Sequence, residues 1–370
     1  VNYTGNVRFS SPTRLPEMAN SIDWANYFNK ALGWNMFSQE TIDKMHQWQA
    51  GEFTDPTTPE YYGTVVGTDG RYQAYGSAYA NTDWFKEMFR SNVPSQEHNI
   101  SLSGGTEKLT YLISGNFLGQ NGLLRHGKDK YNRYTLNSKI SAKPTDWLSI
   151  NYTNRWSRED NSAPTYIKQS GGNFYHNIAR RWPSNPARTP HGWMPGMEII
   201  ELEDGGTQRS QQNTVSNQLQ LIFEPIKDLH ITLEGNMRRY TESQHYDILP
   251  IYAYDSNGDP YGVSWNGRSI GESYVREFRR TEDYYSTNFL VDYSKTINDH
   301  YFKIMGGFNS ELYRRDDLYG SGYDLITGSV PELNLSQDNQ NAWNSKGERA
   351  VAGFFGRINY NWKERYMLEA

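Results

Sequence analysis

Three stretches of the chain bring together residue types that could do chemistry. Residues 122–128 read Gly-Leu-Leu-Arg-His-Gly-Lys, which fits the glycine and lysine spacing of a phosphate-binding loop. The next residue is Asp129 rather than the Ser or Thr whose hydroxyl would meet magnesium, and no helical pattern follows, so the stretch reads as a hairpin loop. Asp255, Asn257 and Asp259 alternate oxygen ligands in the manner of a calcium loop. The distal bidentate glutamate is missing, because position 266 is Asn, and Asn257-Gly258 between Tyr-rich segments is a strong hairpin turn. These three residues form a weak calcium candidate, and no other cofactor is expected.

The third stretch lies between residues 176 and 204. His176 and His191 share it with Glu201, Glu203 and Asp204, but the eight histidines of the chain show no His-x-x-x-His ligand spacing. The absence of cysteine excludes a disulfide scaffold and Cys-ligated zinc. No Gly-x-Ser-x-Gly elbow or other nucleophile motif is present, so no enzyme is expected. What the stretch does offer is recognition chemistry. Arg180-Arg181-Trp182-Pro183 and His191-Gly192-Trp193 cluster rings and guanidiniums that can stack on sugar faces or meet charged groups. Arg180, Arg181, Trp182, His191, Trp193 and the more distant Trp265 are therefore the expected substrate contacts.

The elements that hold these residues are strands. The chain has 370 residues and a formal net charge of −5, which gives no basic excess for a nucleic-acid partner. Its mean hydropathy is −0.84, and no apolar run approaches the ~20 residues of a membrane helix. Barrel strands escape such a test because they alternate and average out as polar. The 28 Tyr and 11 Trp suit surfaces that are half apolar and half wet.

Period-2 alternation dominates the sequence. Between residues 133 and 143, Tyr134, Leu136, Ser138, Ile140 and Ala142 share one parity, and Arg133, Lys139 and Lys143 the other. The same rhythm runs through Tyr3, Val7 and Phe9; Leu109, Tyr111, Ile113 and Phe117; Leu148, Ile150, Tyr152 and Trp156; and Leu219, Leu221 and Phe223. It returns in Leu229, Ile231, Leu233 and Met237; Phe289, Val291 and Tyr293; Phe302, Ile304 and Phe308; and Phe354, Ile358, Tyr360 and Trp362. About ten strands are expected.

The connections sort by length. Tight, turn-rich links at residues 104–107, 144–146, 225–228, 298–300 and 363–365 alternate with long ones at 11–97, 158–215, 240–283 and 314–349, and a modest one at 120–132. All turns then lie at one end of an up-and-down sheet and all loops at the other, the asymmetry of a transmembrane barrel with short periplasmic turns and long extracellular loops. The fold class expected is all-β, a partial up-and-down antiparallel β-barrel. The first long loop carries helical spacing at Ser21–Leu32, at Gln39–Gln49 with Ser38 as N-cap and Gly51 as stop, and at residues 82–90. Its Trp34, Trp48 and Trp84, with Trp182, Trp193, Trp265 and Trp343, are expected mostly to form loop cores.

Asn81-Thr82-Asp83-Trp84-Phe85, followed by His98-Asn99-Ile100-Ser101-Leu102-Ser103-Gly104-Gly105, Tyr111-Leu112-Ile113-Ser114-Gly115-Asn116-Phe117 and Gln120-Asn121-Gly122, closely resembles the early barrel of SusC-like TonB-dependent transporters of the Bacteroidetes outer membrane. The opening strand followed by Pro12-Thr13-Arg14-Leu15-Pro16, and Phe354-Phe355-Gly356-Arg357-Ile358-Asn359-Tyr360 near the end, extend the match collinearly. The resemblance implies a barrel of about 22 strands. It places residues 1–370 in the N-terminal half of that barrel, with the plug domain, the TonB box and the C-terminal half outside this sequence. It also implies a SusD-like surface lipoprotein as lid, drive from TonB–ExbB–ExbD, and import of a glycan or, alternatively, a peptide. A passive porin and a soluble carbohydrate-binding β-protein are the competing readings.

Strand parity yields a test of the faces. A cation placed at Leu136 or Ile140 is expected to cost ~2–4 kcal/mol near the bilayer midplane. An apolar residue at Lys139 is expected to be nearly neutral. Folding yields into lipid vesicles measure both, and equal tolerance at the two parities would refute the assignment.

Overall fold

The computed structural model describes residues 1–169, 173–264 and 269–370. Eleven strands form one antiparallel sheet in which every neighbour in space is a neighbour in sequence. They are β1 (Asn2–Ser10), β2 (Val93–Gly105), β3 (Leu109–Asn121), β4 (Lys130–Thr145), β5 (Leu148–Pro164), β6 (Thr207–Ile226), β7 (Leu229–Ile248), β8 (Tyr274–Ile297), β9 (His300–Leu325), β10 (Ser336–Trp362) and β11 (Tyr366–Glu369). β1 and β11 are the open edges, one strand more than the alternation alone suggests. Among the described residues no helix is long and apolar enough to cross a membrane.

The turns fall where turn chemistry places them. Asp228 and Asn298 adopt φ of 70° and 51° at two of the tight links, a conformation Asp and Asn tolerate. The long connections are shorter than the sequence suggests. The expected loop over residues 314–349 shrinks to 326–335, and Trp343 sits on β10, stacked 3.8 Å from the Tyr319 ring of β9. The loops expected over 158–215 and 240–283 shrink to 165–206 and 249–273.

The cause is visible in the register. On β4 to β8 the apolar parity lasts about nine residues, over 134–142, 148–156, 215–223, 229–237 and 285–293, close to the ~9–11 that span a bilayer. The cross-strand row Met237–Tyr285–Leu312–Ala350 closes this belt. The next row on the same face, Arg239–Asp283–Arg314–Glu348, is entirely charged. Beyond it both faces meet water, so alternation stops while hydrogen-bonded pairing continues. β8, β9 and β10 reach 24, 26 and 27 residues, more than twice what the hydrocarbon needs. The wall therefore stands well above the membrane.

Aromatic rings gather at the turn end of the belt. Trp147 stacks on Phe223, and the His300 ring lies beside Tyr360 and Trp362, with Tyr366 stacked on Trp362. A second chain of rings, Tyr3–His98–Phe117–Tyr134, marks the loop end. Both match the interfacial girdles of outer-membrane barrels.

Buried apolar side chains lie mainly in the loops, not in the wall. The helices are α1 (Ser21–Leu32), α2 (Gln39–Gln49), α3 (Pro59–Tyr62), α4 (Trp84–Met88), α5 (Thr165–Gln169), α6 (Asn173–Ala179) and α7 (Glu198–Glu203). Asn20 caps α1 through Ile22 N–H, and Ser38 caps α2 through Thr41 N–H. One core joins Phe37, Ile42, Met45 and Tyr79, with Trp24, Phe28, Trp48 and Trp182 packed against it. A larger core joins Trp84, Phe85 and Met88 with Ile178, Met194, Ile199 and Leu202, so the first two long loops fold as one body.

The end of the belt can be located by substitution. Leu318, on the outward parity three rows beyond Leu312, is expected to accept Lys within about 0.5 kcal/mol. Leu233→Lys, inside the belt, is expected to cost ~2–4 kcal/mol. Parallel vesicle-folding measurements of the two variants check this.

Candidate ligand-binding cleft

The Asn81–Phe85 motif works as a clamp between loops. Asn81 Oδ1 accepts the Ser21 N–H at 3.0 Å, fixing the start of α1. Thr82 Oγ1 donates to the Asn185 carbonyl at 2.7 Å, and Thr82 N–H to the Pro183 carbonyl at 2.8 Å. Asp83 caps α4 by accepting the Lys86 N–H. Trp84 is fully buried and donates Nε1–H to the Trp182 carbonyl at 3.0 Å.

Next to this clamp lies a cleft of about 650 Å³. That volume falls within the range of small-molecule sites. Trp48, Phe53, Tyr61 and Tyr62 supply aromatic faces, and Trp48 Nε1–H is anchored to the Tyr61 carbonyl at 2.9 Å. Asp83, Lys86, Glu87, Arg125 and Arg188 supply charge around them. A hollow of about 710 Å³ follows the charged row on the outer wall. There Arg239 meets Asp283 at 3.5 Å, Arg314 meets Glu348 at 2.7 Å and Lys346 meets Asp316 at 3.0 Å, so its charges are already matched. The loop cleft is the better ligand candidate.

Below the cleft, His126 is buried at the tip of the β3–β4 hairpin. Its Nε2 lies 3.1 Å from Glu87 Oε1 on α4, its Nδ1 lies 3.2 Å from Glu203 Oε1 on α7, and Trp193 packs edge-on against the ring. One imidazole thus joins three loops. The residues 122–128 form this hairpin tip, with Gly122 N–H donating to the Asp129 carbonyl and Arg90 donating to the Gly122 carbonyl.

The residues singled out from sequence are dispersed among different roles. Arg181 is held by Glu198, with Nε 2.8 Å from Oε2, and Glu198 is 1% exposed. Trp182 packs among Trp24, Phe28, Phe37 and Tyr75. Trp193 lies under the Arg188 guanidinium at 3.8 Å. Arg180 and His191 are exposed, and His191 adjoins Tyr72 and the backbone of Gly258. Trp265 lies outside the described residues. Asp255 Oδ1 accepts the N–H groups of Asn257 and Asp259 at 2.8 and 3.0 Å, so it serves the turn between Ile251–Tyr254 and Pro260–Val263. Asn266, which stands where a calcium loop would carry its distal glutamate, lies outside the described residues. Among the described residues no group of three or more His, Asp or Glu is arranged to hold a metal.

The cleft residues Trp48, Phe53, Tyr61, Arg125 and Arg188 were not legible as a site. They come from three separate connections, and only the neighbouring Asn81–Phe85 motif marks the place.

The belt, the girdles, the sorted connections and the folded loop body define an outer-membrane β-barrel protein. No protein-family model matches the chain. The TonB-dependent receptor SusC of Bacteroides thetaiotaomicron is 25% identical over 402 residues, covering 100% of this chain and 34% of its own length. The TonB-dependent receptor P3 of Formosa agariphila is 22% identical over 311 residues, covering 80% of this chain and 30% of its own. The RagAB peptide transporter aligns over 100% of this chain and 41% of its own, at 17% identity and a TM-score of 0.70. The open-open state of the RagAB peptide importer gives a TM-score of 0.75 at 15% identity, over 99% of this chain and 40% of its own. The chain is similar to SusC-like TonB-dependent receptors and spans about a third of the length of these curated relatives.

One buried carboxyl makes the loop body sensitive to pH. Glu201 Oε2 is buried and has no hydrogen-bond partner among the described residues. Burial pushes this carboxyl up to about 8, against the pull of a backbone hydrogen bond and with the Glu198 charge adding to the rise. The folded loop therefore keeps a proton that the unfolded chain releases near 4.5, the ordinary value of a glutamate carboxyl. Its stability is expected to be full below that value, to fall as pH rises towards about 8, and to level off above. Glu201→Gln is expected to flatten that slope, as read by hydrogen exchange of α7 across the pH range.

Proposed function

We propose that this chain supplies the wall and the extracellular loops of a TonB-dependent importer in the bacterial outer membrane, and that its cargo is a glycan held in the loop cleft. The observation that carries the reading is the cleft itself, where Trp48, Phe53, Tyr61 and Tyr62 stand beside Asn81, Asp83 and Lys86. A pyranose ring has an apolar C–H face and a rim of hydroxyls. It needs flat aromatic surface flanked by directional polar groups, which is what these residues offer. A SusD-like lipoprotein as lid and TonB–ExbB–ExbD as energy source belong to the same proposal. Support for the second reading, a peptide cargo, comes from the RagAB neighbours, described as a peptide transporter and importer.

Uptake by cells carrying the full-length receptor separates the readings. Loss of TonB function is expected to abolish entry of a labelled oligosaccharide, whereas a passive channel would go on admitting it. Trp48→Ala is expected to weaken glycan binding by about 1 kcal/mol or more, measured by titration calorimetry. Competition by peptides but not by oligosaccharides would replace the glycan reading with the peptide one.

A further inference from the structure

Resting on the glycan reading of this cleft, we propose that it selects acidic oligosaccharides, with Arg125 and Arg188 together receiving a carboxylate or sulfate group of the sugar chain. The case begins with the charges that line the cleft. Its two acids are already engaged. Asp83 accepts the Lys86 N–H and pairs with Lys86 Nζ at 2.8 Å, and Glu87 faces the buried ring of His126 at 3.1 Å. Lys86 is thereby matched as well.

Arg125 and Arg188 are not matched. Among the described residues neither forms an ion pair, in contrast to Arg181, which is locked to Glu198, and Arg71, which meets Asp69 at 4.0 Å. Both are exposed and both line the cleft. Arg125 gives Nη2 to the Lys86 and Phe89 carbonyls at 3.1 and 3.4 Å, which fixes the fork and leaves donors over from its five. Arg188 lies 3.8 Å over the Trp193 ring. Stacking holds the guanidinium plane and leaves its edge N–H groups free. Two oriented guanidiniums without counter-ions are prepared for the planar, bidentate recognition of an oxyanion. Because their positions are already fixed, little side-chain freedom remains to be lost on binding.

The aromatic faces beside them supply the rest of the specificity. Trp48 and Tyr61 would take the ring faces of the sugar, and the two arginines its acidic substituent. Arg125 comes from the β3–β4 hairpin and Arg188 from the loop between β5 and β6, so one ligand group spans two connections.

Titration calorimetry on the full-length receptor in detergent tests the proposal, with trigalacturonate, its methyl ester, maltotriose and an acidic tripeptide as probes. Trigalacturonate is expected to bind at least about tenfold more tightly than its ester, with the advantage shrinking between about 50 and about 500 mM salt. Arg125→Gln and Arg188→Gln are each expected to lower trigalacturonate affinity about tenfold, and the Lys variants to retain part of it. Lys128→Gln, outside the cleft, is expected to change nothing, and heat-modifiable migration on gels verifies that each variant is folded. Equal binding of acid and ester, or wild-type affinity in both arginine variants, overturns the acidic selection and leaves the glycan reading standing. Binding of the tripeptide with no binding of any sugar overturns the glycan reading, and failure of trigalacturonate to bind at all overturns the proposal.

Discussion

The structure depends on one constraint: inside hydrocarbon no water is present to meet a backbone N–H or C=O. Each must find its partner in a neighbouring strand. That requirement produces the single antiparallel ladder from β1 to β11, with sequence neighbours always paired. It also imposes the parity rule, because one face of every paired strand meets lipid. The row change from Met237–Tyr285–Leu312–Ala350 to Arg239–Asp283–Arg314–Glu348 shows how sharply the rule ends. Above that line the ladder persists for backbone reasons alone, and the side chains no longer have to alternate.

The tall wall gives the loops something to fold against. A barrel rim only as high as the bilayer would leave the first two long connections to form a core unaided. Here the ends of the strands contribute Val93, Ala163, Ile248, Val275 and Phe278 to the buried set. Upon this rim Trp84 and the Thr82–Asn185 hydrogen bond join the first two long loops, the Asn81–Ser21 bond closes the first loop on itself, and His126 ties in the β3–β4 hairpin. The cleft inherits its shape from these joints. Its aromatic floor comes from α2 and the segment around α3, and its charged rim from α4, the hairpin tip and residue 188.

The same residue types serve opposite purposes in the two regions. In the wall, Trp147, Tyr360 and Trp362 lie at the edge of the belt, where a ring with one polar end suits the interface. In the loops, Trp84 and Trp182 form the interior of a soluble-like domain. Arginine divides likewise. Arg181 is consumed by Glu198, whereas Arg125 and Arg188 line the cleft and form no ion pair among the described residues.

By itself the sequence determined the strands within the belt, their faces, the sorting of turns from loops, and the helices over Ser21–Leu32 and Gln39–Gln49, the second with its Ser38 cap. These are local or periodic features, set by the need of each residue to face lipid or water or to satisfy a helix end. It did not determine how far β8, β9 and β10 continue, because beyond the lipid the two faces of a strand share one solvent and leave no period to read. Nor could it assign the loop residues. Arg181 and Trp182 look like ligand contacts in sequence, yet packing against Glu198 and Phe28 engages them internally. Trp48, Arg125 and Arg188 come from separate connections, and only the tertiary fold brings them to one cleft. Such convergence depends on long-range hydrogen bonds and buried cores, which have no signature in the spacing of residues along the chain.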